Sequence, residues 1–374
     1  MKERKNIPKI LFICPLPPPV HGSSIVSKSI KDSAVLNEAF EMDFVNLSTS
    51  RKVEEIGKQS LMLYAKKVLR FIGIYISTLW KLTIHKYDLC YLAITCHGEG
   101  FLKDAPFVLL CKLFGRKVVI HQHNKGMAKD VRRPVYRWLL PLVYKNAKVI
   151  LLSWHLYPDI EKVVKREDVM ICPNGIKPTV DPDFQRTSNK IPHILFLSNL
   201  LIDKGVLVLL DALKILKDKG YSFVCDFVGS ETKDIDAARF AKEVEKRGLN
   251  SLAIYHGRKY GEEKEAYFKQ ADIFVFPTYY HNECFPLVIL EAMEQGLPVI
   301  STNEGGIPDI IDNGNYGYTV EKNNPIDLAS AIERLLKEPE LRNSMREAGR
   351  RRFEEKFTEE VFEKKMRECL EKAI

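Results

Sequence analysis

The chain has 374 residues, of which 45% are hydrophobic and 28% are charged. Its length exceeds the roughly 100–200 residues of one ordinary domain, so we expect two domains with separate cores. This composition excludes a disordered or fibrous protein. The net charge of +8 is uneven, because residues 1–190 carry 31 Lys and Arg against 17 Asp and Glu. The first half is therefore expected to meet something anionic.

The cysteines and the longest apolar segments bear on the cellular compartment. The eight cysteines form no C-x-x-C pair, which argues against a zinc knuckle or thioredoxin-like motif and makes a reducing cytoplasm the simplest location. The first apolar run is too short for the core of a signal peptide and is predicted to be a strand. The apolar segment at 61–82 is interrupted by Lys66, Lys67 and Arg70, so it falls short of the about 18 uninterrupted apolar residues of a membrane span.

Apolar, β-branched runs alternate with helical patterns along the chain. In the first half the predicted strands are 9–14, 42–47, 88–93, 117–122 and 148–153, and the predicted helices between them lie near 22–37, 61–84, 103–114 and 132–145. In the second half the predicted strands are 193–198, 223–229, 252–257, 272–277, 298–302 and 317–320, again with helices between them. Near-continuous apolar strands that alternate with helices predict parallel sheets covered on both faces.

A linker is predicted at residues 173–193, which contain four prolines and few bulky apolar side chains. The fold class is then α/β, with two doubly wound, Rossmann-like domains at 1–185 and 186–354 that face each other across a cleft. The final helix, about 355–374, could pack back on the first domain. Ligands of such sheets bind beyond the carboxyl ends of the strands, so the cleft is the expected site.

Two glutamates flank a predicted helix start in the second half. The stretch H-N-E-C-F-P-L-V-I-L-E places Glu283 in a polar loop and Glu291 on an apolar helix that begins at Phe285 or Pro286. A proline fits the first helical position because its missing N–H would have no partner there. The alternative is that Glu283 is a solvated loop residue and Glu291 a charge on the helix surface.

The first turn of this helix is suited to an anion. The amides of Leu287 and Val288, together with the helix dipole, form a ready site for a phosphate. Glu291 lies about 7.5 Å further along the axis, which is about the span from a pyrophosphate to its ribose. A nucleotide sugar would therefore engage both glutamates, with Glu283 on the sugar side.

A lysine follows the first strand of the second domain. In F-L-S-N-L-L-I-D-K-G the pair Lys204-Gly205 lies in the loop between a buried strand and a helix. The ammonium group is a compact charge suited to a diphosphate leaving group. By itself, such a pair is more typical of a surface turn.

Together, these motifs resemble the retaining glycosyltransferases of family 4, which have the GT-B fold. The resemblance rests on the E-x7-E pair Glu283 and Glu291, the run E-A-M-E-Q-G-L-P-V-I-S-T-N-E-G-G-I-P-D-I-I, the Lys204-Gly205 pair and C-P-N-G-I at 172–176. It covers the second domain nearly end to end and the first domain more thinly.

The resemblance implies roles for the matched residues around the sugar and phosphates. Glu283 would bind the hydroxyls of the transferred sugar, Glu291 the donor ribose, and Lys204 the departing diphosphate. The amides that would bind the sugar and phosphates belong to Phe285, Leu287 and Val288. Pro286 stands where a glycine is common, which removes one donor but keeps the helix start.

The resemblance also implies residues at the nucleobase and in the first domain. Gly257 and Arg258 would lie beside the base. Gly22, in the loop before the first helix, would permit close approach of the backbone to the ligand. His123 is the best match to an active-site histidine, although His121 precedes it by two positions and either could be a core residue.

One departure from the family pattern affects the diphosphate. Asn199, assigned to the donor site, stands where an arginine is common, so a neutral amide replaces a cation. Lys204 must then carry more of the charge, or Arg258 or another basic group substitutes.

The expected reaction is transfer of a hexose-type sugar, with retained configuration, from a nucleotide-diphosphate sugar to a saccharide or lipid-linked saccharide in cell-surface polysaccharide synthesis. UDP is the preferred carrier on family grounds, with GDP second. No metal cofactor is expected, and D-P-D at 181–183 is interpreted as a turn. Alternatives are a non-hydrolysing nucleotide-sugar epimerase and a catalytically silent binding protein; an NAD-linked oxidoreductase is disfavoured because no G-x-G-x-x-G follows a strand.

The basic first half raises the question of a partner surface. Segments 61–84 and 132–145 mix apolar and aromatic side chains with Lys and Arg, which is typical of contact with an anionic membrane surface, and would place the protein peripherally on the inner face. The alternative is that both are ordinary amphipathic helices that pack on a sheet. Nucleic acid is not an expected partner, since no recognised module accompanies the charge.

Overall fold

The computed structural model describes residues 7–20, 22–49, 61–180 and 189–374. It divides the chain into two compact units, one formed by Met1–Gly175 with Glu359–Ile374 and the other by Ile176–Thr358. The boundary predicted between residues 185 and 186, and the D-P-D sequence, lie outside the described residues.

The first unit contains a parallel sheet of six strands in the order β2-β1-β3-β4-β5-β6. The strands are β1 (Lys9–Cys14), β2 (Glu41–Asn46), β3 (Leu89–Ile94), β4 (Lys117–Gln122), β5 (Ala147–Leu151) and β6 (Val169–Ile171). The helices are α1 (Gly22–Asp32), α2 (Ala34–Ala39), α3 (Leu61–Ile84), α4 (Gly98–Leu113), α5 (Met127–Asp130), α6 (Pro134–Tyr144) and, from the chain end, α14 (Glu359–Ala373). Every residue of β3 is buried, as expected for a central parallel strand.

Helices cover both faces of the first sheet. The chain moves from β1 to β2 in one direction and returns past β1 to β3, so right-handed connections place α1 and α2 on one face and α3, α4 and α6 on the other. The final helix α14 contributes Phe362, Met366 and Leu370 to a buried cluster that also contains side chains of β1 and α1. Residues at the chain end therefore complete the core of the first unit.

The first predicted helix, 22–37, is two helices in the structure. Ser33 separates α1 from α2, and its hydroxyl accepts a 3.2 Å hydrogen bond from the amide of Leu36. Serine is among the strongest N-cap residues, so it starts a new helix at this point. The apolar periodicity continues across the break, which is why the pattern predicted one helix.

The second unit contains another six-stranded parallel sheet, in the order β12-β11-β10-β7-β8-β9. Its strands are β7 (His193–Leu197), β8 (Val224–Val228), β9 (Ala253–Tyr255), β10 (Ile273–Phe276), β11 (Val299–Thr302) and β12 (Gly317–Val320). Its helices are α7 (Val206–Asp218), α8 (Ala237–Lys246), α9 (Gly261–Gln270), α10 (Leu287–Glu294), α11 (Ile307–Ile310), α12 (Pro325–Lys337) and α13 (Pro339–Lys356). Every predicted strand is present with bounds shifted by at most two residues, and the predicted doubly wound class is confirmed.

The strand order places a topological switch point in each sheet. In the second unit the chain runs outward from β7 to β9 and then crosses back to β10, on the other side of β7. The loops after β7 and β10 therefore diverge and leave a crevice at the carboxyl edge, where ligands of open α/β sheets bind. In the first unit the corresponding crevice lies between β1 and β3.

Candidate active site

The loop that carries Lys204 lies directly against the end of β10. Gly205 has a left-handed φ of 86°, and a Cβ on it would stand 2.3 Å from the carbonyl oxygen of Pro277. The amide of Tyr279 donates a 2.8 Å hydrogen bond to the carbonyl of Asp203. Glycine at position 205 therefore allows the close approach of the two loops that brings Lys204 to the crevice.

Lys204 and Glu283 form an ion pair across this crevice. Their side chains are 15% and 11% exposed, respectively. The Lys204 ammonium also lies 4.6 Å from the ring centroid of Tyr280 and 5.3 Å from that of Phe276, within the range of cation–π attraction. The structure thus brings together two predicted catalytic residues that are far apart in sequence, in a partly desolvated position where charge interactions are strengthened.

The loop after β11 supports the backbone of Glu283. Gly305 has φ of 56°, and a Cβ on it would lie 2.3 Å from the carbonyl oxygen of Glu283. The amide of Gly306 donates a 2.6 Å hydrogen bond to the carbonyl of Cys284. The two glycines of the N-E-G-G sequence therefore support the Glu283 loop, Gly305 by close packing and Gly306 by a hydrogen bond.

The helix after Glu283 begins two residues later than the earliest predicted start. Pro286 is the N-cap, with φ of −70° and ψ of 116°, and α10 starts at Leu287. Its ψ is that of extended backbone, so the prediction of Phe285 or Pro286 as the first helical residue was wrong. The amides of Leu287 and Val288 occupy the first turn and have no intrahelical carbonyl partner, which keeps them suited to an anion. The side chain of Phe285 is buried against Phe357, with ring centroids 5.8 Å apart.

Glu291 pairs with a lysine that the sequence did not single out. Its carboxylate accepts a 2.8 Å hydrogen bond from the ammonium of Lys264 on α9, and both side chains are about one quarter exposed. Burial raises the pKa of Glu291, and the charge and hydrogen bond of Lys264 oppose this rise. Both side chains line a cavity of about 100 Å³. Lys264 lies in a charged run, G-E-E-K-E, that looks like a solvated helix face, so only the fold could reveal the pair.

A Lys264→Met substitution is expected to shift the pH dependence of nucleotide binding. The substitution removes the group that lowers the pKa of Glu291, so this pKa rises further. If the ionised carboxylate accepts hydrogen bonds from ribose hydroxyls, the affinity for UDP falls as the pH drops through this pKa, and in the variant the fall begins at a higher pH. Calorimetric titration with UDP over a pH series measures the effect.

The control is Lys269→Met, on the same helix, whose ammonium lies 3.9 Å from Glu265. It should leave the pH profile of UDP binding unchanged. The pH dependence of folding stability has the opposite sign to that of UDP affinity. A pKa of Glu291 that is higher in the folded than in the unfolded state means that the folded state binds the extra proton, so folding stability falls as pH rises through the two pKa values. A pH profile identical in wild type and Lys264→Met would contradict the assignment of Glu291 to the ribose.

The ends of β7, β8 and β9 meet beside the lysine loop. A Cβ on Gly229 would lie 1.8 Å from the carbonyl oxygen of Ser198, so only glycine permits this approach. The amide of Gly229 donates a 2.9 Å hydrogen bond to the carbonyl of Gly257. Asn199 and Arg258 follow Ser198 and Gly257 and are both exposed, and the guanidinium of Arg258 stacks 4.4 Å from the ring centroid of Tyr260. The predicted base-binding residues therefore lie at the same carboxyl edge as Lys204.

Gly22 and His123 belong to the first unit. His123 directly follows β4 and lines a cavity of about 220 Å³ at the switch point of the first sheet. His121 is fully buried, shares a 2.6 Å hydrogen bond with the hydroxyl of Tyr91, and has a pKa well below the usual value because of burial and the nearby His123. His121 is thus a core residue, and His123 is the histidine that reaches the cavity. Gly22 begins α1, with open space where a Cβ would stand.

The cavity beside His123 has a mixed lining in which polar residues outnumber apolar ones. Asp104 is buried, and its carboxylate accepts a 2.9 Å hydrogen bond from the amide of Thr95. The ammonium of Lys103 lies 3.3 Å from the other carboxylate oxygen of Asp104. The hydroxyl and amide side chains in the lining are Ser23, Ser48, Thr49, Thr95 and Asn124. Such a lining offers donors and acceptors of the kind that sugar hydroxyls require.

The predicted site residues therefore form two groups, with Gly22 and His123 in the first unit and all the others in the second. Lys204 and Glu283 are in contact, and the remaining predicted second-unit residues lie on the loops that follow β7, β9 and β10 and on α10. Sequence reasoning missed Lys264, Tyr280 and the supporting role of Gly305. Among residues 7–20, 22–49, 61–180 and 189–374, no group of three or more His, Cys, Asp or Glu side chains is placed to hold a metal ion. All eight cysteines lie in the described residues and are buried, and none of them forms a disulfide bond.

Comparison with solved structures defines the class of fold. A glycosyltransferase from Rickettsia africae superposes with a TM-score of 0.74 and 18% identity, covering 98% of this chain and 99% of that one. HepE of Anabaena, in complex with UDP and glucose, superposes with a TM-score of 0.70 and 16% identity, covering 97% and 99%. The chain has the GT-B fold of glycosyltransferases, which confirms the predicted architecture of two parallel-sheet units.

Comparison of sequences defines the family. The family model described as glycosyl transferases group 1 matches residues 181–352, which make up most of the second unit. The capsular polysaccharide biosynthesis glycosyltransferase CapM of Staphylococcus aureus is 32% identical over 191 residues, which are 48% of this chain and 48% of CapM. The chain spans about half the length of the curated relatives it matches.

Proposed function

We propose that the protein is a retaining glycosyltransferase that moves a hexose-type sugar from a UDP-sugar to a saccharide or lipid-linked saccharide in cell-surface polysaccharide synthesis. The observation that carries the proposal is the contact of Lys204 with Glu283 at the switch point of the second sheet. Glu283 lies shortly before the start of α10, where the amides of Leu287 and Val288 have no intrahelical partners. A cation, a carboxylate and two amides together match a sugar bound through a diphosphate.

The donor side of the proposal assigns each group a task. The ammonium of Lys204 and the amides of Leu287 and Val288 stabilise the negative charge that develops on the diphosphate as the anomeric C–O bond breaks. Glu283 accepts hydrogen bonds from the sugar hydroxyls and fixes the ring. Lys204 has three N–H donors, so it can hold Glu283 and a phosphate oxygen at once. Glu291 binds the ribose, and the charge and hydrogen bond of Lys264 lower the pKa of its carboxyl group against the effect of burial.

The transfer step is a front-face displacement. The acceptor hydroxyl oxygen forms the new bond to the anomeric carbon on the side from which the diphosphate leaves, and its proton passes to the departing phosphate oxygen. No covalent sugar–enzyme intermediate and no metal ion take part in the proposed step. A second carboxylate near the anomeric carbon would favour hydrolysis. Glu291 is assigned to the ribose instead, which leaves Glu283 as the carboxylate at the sugar.

Two further observations support the donor and the acceptor. HepE, which shares the fold, has been captured with UDP and glucose, and CapM, which is similar to this chain over 191 residues, is named for capsular polysaccharide biosynthesis. The cavity of about 220 Å³ beside His123 has the size and polar lining for one sugar ring. We assign the acceptor to this cavity, with His123 and Asp104 bonding its hydroxyls.

The experiment is a transfer assay that follows both the sugar and the nucleotide. UDP-sugars and GDP-sugars are first screened by thermal shift, because a ligand that binds only the folded state raises the melting temperature. The donor that binds is then incubated with free and lipid-linked saccharide acceptors. We expect UDP release that depends on acceptor and a product whose anomeric configuration, measured by NMR, equals that of the donor.

The outcomes separate the alternatives. An epimerase would change the sugar without needing an acceptor, and a hydrolase would release it to water. A silent binding protein would show the thermal shift and no turnover. An inverted linkage would remove the front-face mechanism while keeping the transferase, and stabilisation by GDP-sugars alone would move the donor from UDP to GDP.

A further inference from the structure

The outward face of α3 is apolar, which is unusual for a helix on a protein surface. Met62, Leu69, Ile72, Ile76 and Trp80 recur at helical spacing and are all exposed. Leu69, Ile76 and Trp80 are 69%, 58% and 64% exposed, respectively. A solvated helix face ordinarily carries charged and polar side chains instead. This stripe runs along nearly the whole helix and forms a contiguous patch of the kind that marks an interaction site.

The inward side of α3 is already packed. Phe71 and Tyr75 make edge contacts with Phe107 of α4, with ring centroids 5.5 and 5.6 Å apart. The exposed stripe is therefore a second apolar side, in excess of what the core needs. Thr78 and Leu82, on the inward side, are buried.

The apolar surface continues onto α6 through α4. Phe101 of α4 stacks on Tyr136 of α6 at 5.9 Å, so the three helices form one layer on the sheet. On α6, Val135, Trp138 and Leu142 point outward, and Trp138 is 81% exposed. We call the exposed apolar side chains of α3 and α6 the α3/α6 face.

The charged residues on α3 and α6 themselves are of one sign. Neither α3 nor α6 contains an acidic residue. Lys66 on α3 and Arg132 and Arg137 at α6 are exposed beside the apolar side chains. A second copy of the chain docked symmetrically on this face would bring like charges together, because a two-fold interface is self-complementary. An anionic surface has the complementary charge.

We propose that the α3/α6 face docks on an anionic lipid bilayer, with α3 lying in the interfacial plane. The aliphatic side chains enter the boundary of the acyl chains, Trp80 and Trp138 lie at the headgroup level, and the basic side chains contact lipid phosphates. Within the described ranges no helix has the length and apolar character of a membrane span, so the contact is peripheral. The proposal stands on this surface alone and does not require the transferase activity.

Flotation of the protein with vesicles tests the proposal. The wild type is expected to float with vesicles containing phosphatidylglycerol and to stay at the bottom of the gradient with pure phosphatidylcholine. The double substitution Ile72→Ser with Ile76→Ser should lower the partition coefficient at least about tenfold, since it removes two side chains that would be buried in the bilayer. The matched control is Ile326→Ser on α12, where the isoleucine is 70% exposed in the second unit.

Tryptophan emission gives a readout that needs no variant. Two of the three tryptophans lie on the α3/α6 face, so anionic vesicles should shift the emission to shorter wavelength. Equal flotation with both lipids, no flotation at all, or a serine double variant that floats like the wild type overturns the proposal. So does a dimer in sedimentation that the double substitution converts to monomer, because the face would then be covered by a second copy.

Discussion

A Lys204→Met variant is expected to lose about 10²- to 10³-fold in kcat and to bind UDP more weakly. The ammonium stabilises the negative charge that develops on the diphosphate as the anomeric C–O bond breaks and that remains on UDP, and removal of one preorganised donor of this kind costs about that much in rate. Methionine retains the length of the side chain and its packing against Tyr280 and Phe276, so the fold should be kept. Steady-state kinetics with saturating donor and acceptor measure the loss.

The matched control for this variant is Lys264→Met. Each lysine pairs with a glutamate of the E-x7-E motif, Lys204 with Glu283 and Lys264 with Glu291. If the first pair acts at the leaving diphosphate and the second at the ribose, Lys264→Met should raise KM for the donor and leave kcat nearly unchanged. Equal kcat for wild type and Lys204→Met would remove Lys204 from the chemical step, whatever its effect on KM.

The strand pattern was predictable because each sheet is parallel and buried on both faces. Its strands are short, almost uninterrupted apolar runs between polar loops, and that signal is local. The strand β6, Val169–Ile171, was missed because it is a short run that directly follows the charged sequence E-K-V-V-K-R-E-D, which looks like a solvated loop. The break at Ser33 was missed because a single capping hydroxyl overrides a continuous apolar period.

The residues of the candidate site were predictable where they follow strands. Lys204 and Glu283 each lie in a loop after an apolar run, and a motif resemblance linked them. Their contact depends on the strand order, which places β7 beside β10. Strand order results from long-range pairing and cannot be recognised from the residues of either loop. Lys264 could not be found this way, because its partner lies 27 positions later and nothing in its own helix distinguishes it from a solvated lysine.

The surface of α3 shows the limit of pattern reading. An amphipathic helix on a sheet and a helix with two apolar sides differ only in which side chains the fold covers, so the sequence left both interpretations open. Packing on Phe107 uses one side of α3 and leaves the Leu69, Ile76 and Trp80 side exposed. This exposure depends on tertiary contacts, and it is what favours a partner surface over ordinary packing.

A Gly305→Ala variant is expected to lose both stability and activity through the Glu283 loop. The added Cβ would lie 2.3 Å from the carbonyl oxygen of Glu283, so the two loops must move apart. Overpacking of this kind costs about 1–3 kcal/mol of unfolding free energy, in addition to about 1–2 kcal/mol for a left-handed backbone in a non-glycine residue. A displacement of about 1 Å at Glu283 should lower kcat/KM about 10²-fold. Urea unfolding and donor kinetics measure the two effects.

The control is Gly314→Ala, which isolates the contact with the Glu283 loop from the backbone strain. Gly314 also has positive φ, at 91°, but no atom lies within 4 Å of the position of its Cβ. It should therefore show only the backbone cost and keep full activity. If Gly305→Ala is destabilised as little as Gly314→Ala and remains equally active, the Glu283 loop does not depend on close packing against the N-E-G-G turn. If Gly305→Ala is destabilised more but remains fully active, the packing is real and Glu283 has no positioned role in the transfer.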